Sequence, residues 1–283
     1  MARTPTNEGS IQAVTRTMKV IELLAETSNG MTVFEVADAL GTEKSIASRL
    51  LSSLHMDGYV VRDPHSDRYL LSLKLLKLAH RHEQQTGFPG VCLPILAALR
   101  DETQELVQMA AVDGDRFTFV SSLESPHSLS IRPRRGGDVI LHSTAAGKAW
   151  LATLSTENAI RLVLNQGLQS PVSRPATKLE DLLIELNLIR ERGYAASIEE
   201  TIPGVSAVGV AVGESRFGHA VGSVILAAPS TRLTPARFGE IAAILKKAAT
   251  ELSDVWPATL GLLAANLGRS DAVTAPALAA AGA

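Results

Sequence analysis

Apolar residues recur at helical spacing from Ile11 onward. Val14, Met18, Ile21 and Leu24 share one face and predict a helix over residues 11–24, closed by Asn29-Gly30. Thr32-Val33-Phe34-Glu35 is a capping-box sequence with Thr32 as N-cap and Glu35 reaching back. It opens a short helix whose buried stripe is Val33, Val36, Ala37 and Leu40. Gly41 suits the end of that helix, and Thr42 can cap a third helix over 43–56. There Ala47, Leu50, Leu51 and Leu54 form the apolar face, while Ser45, Ser48, Arg49 and Ser52 occupy the other. Asp57-Gly58 turns the chain into two β-prone runs, 59–62 and 68–71, around a turn at 63–67.

A solvated helix face ordinarily mixes Glu with Lys. The third helix instead sets small hydroxyls around one arginine, which lets its backbone approach a surface closely. Three helices followed by a hairpin make a winged helix-turn-helix, whose third helix enters the DNA major groove. Ser45, Ser48 and Arg49 then reach base edges, with Ser52 on the same face. Thr32, at a helix N-terminus, and Lys44, through its charge, are candidate phosphate contacts. Arg62 and Arg68 flank the wing tip and are candidates for phosphate or the minor groove.

Residues 73–85 form an amphipathic pattern, and Thr86-Gly87-Phe88-Pro89-Gly90 then breaks the chain. This divides it into a polar tail (1–10), a DNA-binding head (11–72), a linker helix (73–87) and a body (88–256). In the body, helical patterns cover 94–102, 145–153, 156–164 and 179–192, with a last one starting at Thr234-Pro235. Strand patterns cover 106–112, 116–123, 129–131, 139–141, 193–197, 205–212 and 220–227. Adjacent hairpins with helices gathered on their faces predict an α+β body with an antiparallel sheet. Residues 257–283 are Ala-rich and are expected to be disordered.

The 283 residues are 46% apolar and 20% charged, as befits a globular chain of about two domains. No apolar run reaches the roughly 18 residues of a membrane helix. The polar start has no signal-peptide core, so the expectation is a cytoplasmic protein without membrane association. A lone Cys92 excludes a disulfide framework and a cysteine-based zinc site. His80 and His82, two apart, fall on different helix faces. Neither metal nor cofactor is expected. The net charge of −2 argues against nucleic acid, and residues 1–85 balance ten Lys/Arg against ten Asp/Glu. What matters for DNA is where the basic groups sit, because a local stripe neutralises phosphates whatever the total.

Enzyme motifs fall short. Gly204-Val205-Ser206-Ala207-Val208 lacks the second glycine of a nucleophile elbow. Gly147-Lys148 has Ala149 in place of the Ser/Thr of a phosphate loop and His142 in place of its first glycine. His142 beside Asp138 has no nucleophile placed next to it, which favours a structural hydrogen-bonding role. Arg132-Pro133-Arg134-Arg135 reads as a solvated basic loop. No catalytic residue is assigned. The alternative to a regulator is a hydrolase-like catalyst in the body with a head serving assembly.

The chain resembles the IclR family of bacterial transcriptional regulators over almost all of residues 11–255. The resemblance rests on Lys44-Ser45 and Arg49-Leu50-Leu51 in the third helix, and on Gly58-Tyr59-Val60 and Arg68-Tyr69-Leu70 in the wing. In the body it rests on the segment from Leu141-His142 to Gly147-Lys148-Ala149, on Arg192-Gly193-Tyr194, Glu199-Glu200 and Pro203-Gly204-Val205, and on the 229–233 segment. It implies a GAF-like effector domain, homodimers or dimer-of-dimers tetramers, and a palindromic double-stranded DNA operator. It also implies that a small molecule modulates DNA affinity; repression is expected ahead of activation, a choice the sequence itself does not write.

The effector positions it implies are Ser128, Ile131, Val139, Ala145, Ala146, Ser197, Val205, Ala207, Ile225 and Ala227. Members that bind small oxoacids tend to carry Asp at the position of Ser197, Cys at Ala207 and Ser at Ile225 and Ala227. With those polar groups lost, a compact polar acid would leave polar atoms unpaired, at about 1–3 kcal/mol each. The expected effector is therefore a partly apolar or aromatic organic acid, its carboxylate on the amides that open the Ala145 helix.

Overall fold

A computed structural model describes residues 11–132, 139–169, 172, 178–213, 216 and 218–265. The chain divides into two units, Met1–Gln85 and Thr86–Ala283.

In the first unit, α1 (Gln12–Ala25), α2 (Val33–Leu40) and α3 (Lys44–Met56) precede a hairpin of β1 (Val60–Arg62) and β2 (Tyr69–Leu71). Val20, Leu24, Val36, Ala37, Ala47, Leu51, Leu54, Val60 and Tyr69 make its core. The face expected for α1 is only half right. Val20 and Leu24 are buried, but Val14 and Met18 are 52% and 54% exposed, because the N-terminal half of the helix projects past the core. The capping box on α2 forms as expected. On α3 the N-cap is Glu43, without a side-chain bond, rather than Thr42. Gly30 takes φ +67°, and a Cβ there would lie 2.4 Å from the carbonyl oxygen of Tyr69. That close approach lets Met31 pair with Tyr69 through two backbone bonds, tying the start of α2 to the wing. Next, α4 (Lys74–Thr86) buries none of its residues.

The second unit opens with α5 (Leu93–Thr103), β3 (Leu106–Asp113) and β4 (Arg116–Leu123). Then come α6 (Ala145–Leu151), α7 (Thr156–Gln166), α8 (Leu179–Arg192), β5 (Ala195–Ile198), β6 (Val205–Val212) and β7 (Gly222–Pro229). It closes with α9 (Phe238–Val255) and α10 (Ala258–Ala265). The strands form one antiparallel sheet in the order β4-β3-β7-β6-β5. Helices α5 and α9 pack on one face, and α6, backed by α8, on the other.

Three expectations are corrected here. Residues 129–131 and 139–141 are not strands. Gln166 does the work of a partner strand at 139–141, accepting from the Leu141 amide (2.7 Å) and donating to the Val139 carbonyl (2.8 Å). The last long helix starts at Phe238, after a 3-10 turn at Pro235–Arg237. Order continues past Pro257 into α10, where His219 Nε2 lies 3.1 Å from the Gly261 carbonyl. Residues 1–10 and 266–283, where tails were expected, lie outside the described residues.

Helix α6 is buried along its whole length. It gets there through two glycines. A Cβ on Gly147 would sit 2.5 Å from the Leu141 backbone, and one on Gly209 of β6 would sit 2.7 Å from the Ala145 carbonyl oxygen. Because the obstruction is backbone, relief requires moving the helix. Replacing Gly147 with Ala should destabilise the body by about 1–3 kcal/mol. Denaturant titration checks this: the transition of the second unit should move to lower concentration while that of the first stays in place.

Candidate nucleic-acid interface and ligand cavity

On α3 the residues expected at DNA share one surface. Lys44, Ser45, Arg49 and Ser52 are exposed and Ser48 is half-buried. The Ser45 hydroxyl donates to Glu43 (3.2 Å), whereas Arg49 and Lys44 make no hydrogen bond or ion pair among the described residues. No acidic residue lies within α3 itself. This face offers two cations and three hydroxyls with short side chains between them, a composition suited to base edges and phosphate.

The wing departs from expectation. Arg68 donates to both carboxylate oxygens of Glu35 (2.9 and 3.1 Å) and to the Gly30 carbonyl (2.8 Å). The Thr32 hydroxyl accepts from the Glu35 amide (3.3 Å) and donates to its carboxylate (3.0 Å). Thr32 and Arg68, two of the four side chains expected at phosphate, are thus committed to Glu35 at the partly exposed surface of the head. The Thr32 amide and the Arg68 guanidinium hold the Glu35 carboxyl below its usual range. Arg62 remains on the surface but pairs with Asp67 (2.8 Å). Asp63 also lies in this turn, accepting from the His65 amide (3.0 Å), so the wing tip is more acidic than the arginines alone suggest.

In the body a cavity of about 110 Å³ opens between the sheet and the start of α6. Eight of the ten expected positions line it: Ile131, Ala145, Ala146, Ser197, Val205, Ala207, Ile225 and Ala227. Ser128 is exposed and outside it, because 126–130 is exposed chain rather than a strand. Val139 faces the core instead, its amide bonded to the Phe117 carbonyl (2.8 Å). The rest of the wall comes from Leu106, Gln108, Phe119, Arg132, Ile140, Thr144, Thr201 and Ile202. Alternation along β3 and β4 could have pointed to Gln108 and Phe119. Nothing local pointed to Thr201 and Ile202, which lie in the hairpin loop after β5.

The polar groups of the wall are mostly spent. Gln108 donates to Ser122 (3.0 Å), and Ser197 donates to the Ser143 carbonyl (2.8 Å). Thr144 caps α6 by accepting the Gly147 amide (3.0 Å), which leaves the two preceding amides, of Ala145 and Ala146, without intrahelical partners. Arg132 stands exposed at the mouth. Of the basic loop it opens, residues 133–138, with Asp138, lie outside the described residues.

Beneath this wall lies a group that motif reading passed over. Lys148 has no exposed surface, and its ammonium donates to Glu185 of α8 (2.8 Å) and to Glu200 (2.8 and 3.1 Å). Burial pushes the Glu200 carboxyl up, while Lys148 pulls it back. His142 is buried, and the backbone of Gln169 is the polar group that acts on its ring. Burial, with the charge of Lys148, lowers its pKa. Cys92 is buried and its thiol is pushed up to about 11, which makes it a packing residue rather than a nucleophile. Among the described residues no cluster of His, Cys, Asp or Glu could hold a metal, and no helix is long and apolar enough to cross a membrane.

Comparison with known proteins agrees with this layout. The model of the bacterial transcriptional regulator IclR C-terminal domain matches residues 85–254, and that of the IclR helix-turn-helix domain matches residues 13–64. The transcriptional repressor IclR of Escherichia coli (strain K12) is 27% identical over 248 residues, which are 87% of this chain and 90% of the repressor. A crystal structure of an IclR transcriptional regulator from Alicyclobacillus acidocaldarius superposes with a TM-score of 0.76 at 25% identity, covering 87% of this chain and 99% of that one. An IclR homologue from Microbacterium hydrocarbonoxydans, complexed with 4-hydroxybenzoate, shares the fold at a TM-score of 0.72 and 20% identity, over 86% of this chain and 98% of its own.

Two outcomes follow from the geometry. Replacing Arg49 with Ala should cost about 1–3 kcal/mol on the preferred DNA sequence and relax base choice. Replacing Arg68 with Ala should lower the denaturant midpoint of the head and leave the salt slope of DNA binding unchanged. Binding titrations over a salt series, run beside denaturation curves, separate the two. For His142, the unfolded imidazole titrates near 6.5 and the folded one lower, so between those values the unfolded chain holds more protons. Body stability should fall as pH drops through the unfolded value of 6.5, and His142→Asn should flatten that slope in denaturation midpoints.

Proposed function

The chain belongs to the IclR family of bacterial transcriptional regulators, and on that premise we propose that it represses transcription from a palindromic operator under the control of a partly apolar or aromatic organic acid. Its relatives are regulators rather than enzymes. The observation that carries the effector class is the cavity wall. Leu106, Phe119, Ile131, Val205, Ala207, Ile225 and Ala227 are apolar, and Gln108 and Ser197 are already bonded within the protein. A small oxoacid would find few donors there, whereas the apolar face of a ring matches the wall. The acid group meets Arg132 at the mouth and the amides of Ala145 and Ala146. The 4-hydroxybenzoate bound by the Microbacterium homologue supports the same ligand class.

On the DNA side, Arg49 with Ser45 and Ser48 reads base edges, Lys44 holds phosphate, and Ser52 lies on the same face. Arg62 contributes once released from Asp67. Two heads are needed to read an inverted repeat. Apolar side chains left in water on α1 (Val14, Met18) and α4 (Leu76, Leu78) support assembly of copies into a dimer or a dimer of dimers in the cytoplasm. The acid acts by binding one arrangement of the assembly better than another, and it shifts DNA affinity by no more than that difference.

Selection from a randomised duplex library should enrich an inverted repeat. In a thermal-shift panel, benzoate and 4-hydroxybenzoate should stabilise the protein and weaken the selected complex, with glyoxylate and pyruvate silent. Stabilisation by the oxoacids with the aromatic acids silent would overturn the effector class. Failure to enrich any repeat, with or without acids, would overturn the operator reading.

A further inference from the structure

One side of the cavity is closed by a loop. Residues 199–204 join β5 to β6, and two of them, Thr201 and Ile202, contribute to the cavity wall. Both ends of the loop are left-handed: Glu199 at φ +55° and Gly204 at φ +74°. Glycine adopts that conformation readily, but glutamate does so only when its surroundings compel it. Between these ends, the partly exposed Glu200 reaches Lys148 with both carboxylate oxygens (2.8 and 3.1 Å), one of which also accepts from the Ile198 amide (3.3 Å). The backbone adds little at the middle of the loop. Glu199 donates to the Val205 carbonyl (2.8 Å), Val205 to the Ile202 carbonyl (3.2 Å), and at the C-terminal hinge the Gly204 carbonyl accepts from the Ser230 amide (2.8 Å). Lys148 in turn belongs to α6, whose first residues form another part of the cavity wall, and it is anchored on its far side by Glu185 of α8 (2.8 Å).

We propose that Lys148 is a positioning residue, whose ion pair with Glu200 latches the 199–204 loop over the cavity and so governs how fast a ligand enters and leaves. The proposal rests on the cavity being the effector site. An ammonium with no exposed surface cannot swing into water to follow the loop. Opening therefore means breaking the pair at Glu200, and Glu185 remains to keep the ammonium compensated when it breaks. The second carboxylate makes the latch reversible. Release also allows Glu199 to leave its left-handed conformation, so the loop opens as a unit between its two hinges.

The test compares two isosteric variants of the full-length protein, each removing one carboxylate from the same ammonium. Hydrogen exchange of peptides spanning 198–205 should be about tenfold faster in Glu200→Gln and unchanged in Glu185→Gln, with β3 and β7 peptides protected alike in both. A merely structural role for the buried lysine would move both variants together. Equal loop exchange in the two variants, or no change in either, would overturn the latch. Should Glu200→Gln lose protection throughout the body, the milder Glu200→Asp decides, because a shortened latch still predicts faster exchange confined to the loop. Benzoate dissociation, followed by stopped flow, should accelerate in Glu200→Gln alone. If benzoate does not bind the parent protein, the effector class fails, while the exchange comparison still decides the latch.

Discussion

Lys148 is entirely out of water, and a buried ammonium is tolerated only where carboxylates are brought to it. That requirement joins parts of the body that hydrophobic packing alone would leave independent. Glu185 fixes α8 against α6, and Glu200 fixes the hairpin loop between β5 and β6. The helix so held can lie flat on the sheet because Gly147 and Gly209 remove the two side chains that would lift it. The cavity is a by-product of this arrangement. It is the space left between the start of a helix that cannot rise and a sheet face whose side chains there are mostly small or apolar.

The head is organised around a charge of the opposite sign. Glu35 accepts from the amide and hydroxyl of Thr32 and from both ends of the Arg68 guanidinium. The same carboxylate thus caps α2 and fastens it to the wing just before β2. This frees α3 from any structural duty on its polar face, where Lys44 and Arg49 stay available. Contacts that hold the domain together and contacts that meet DNA are thereby carried by different residues, and a change at one set need not disturb the other.

The two candidate sites follow opposite chemical strategies. On α3 the donors are exposed and mostly uncommitted, as a surface must be if it is to exchange water for phosphate and base edges. In the cavity the polar groups are committed internally, and specificity is left to shape with a small number of donors at one end. A wall of this kind discriminates against ligands that need many hydrogen bonds, since each unmet one is costly once water is excluded.

Much of this was written locally. The capping box at Thr32–Glu35, the two faces of α3, the hairpin around residues 63–68 and the paired strands of β3–β4 depend on spacings that the backbone itself imposes, with periods of 3.6 and 2. Eight of ten cavity positions were also legible, through the resemblance to a family pattern rather than through strand alternation. What the sequence could not assign was which partner a charged or polar side chain would choose. Arg68 meets Glu35 across 33 residues, Lys148 meets Glu200 across 52, and Gln166 substitutes for a strand beside Val139 across 27. Each pairing is settled by distance and desolvation after the chain has packed. Helical and strand periodicity record which way a side chain faces, and only the tertiary structure decides what it finds there.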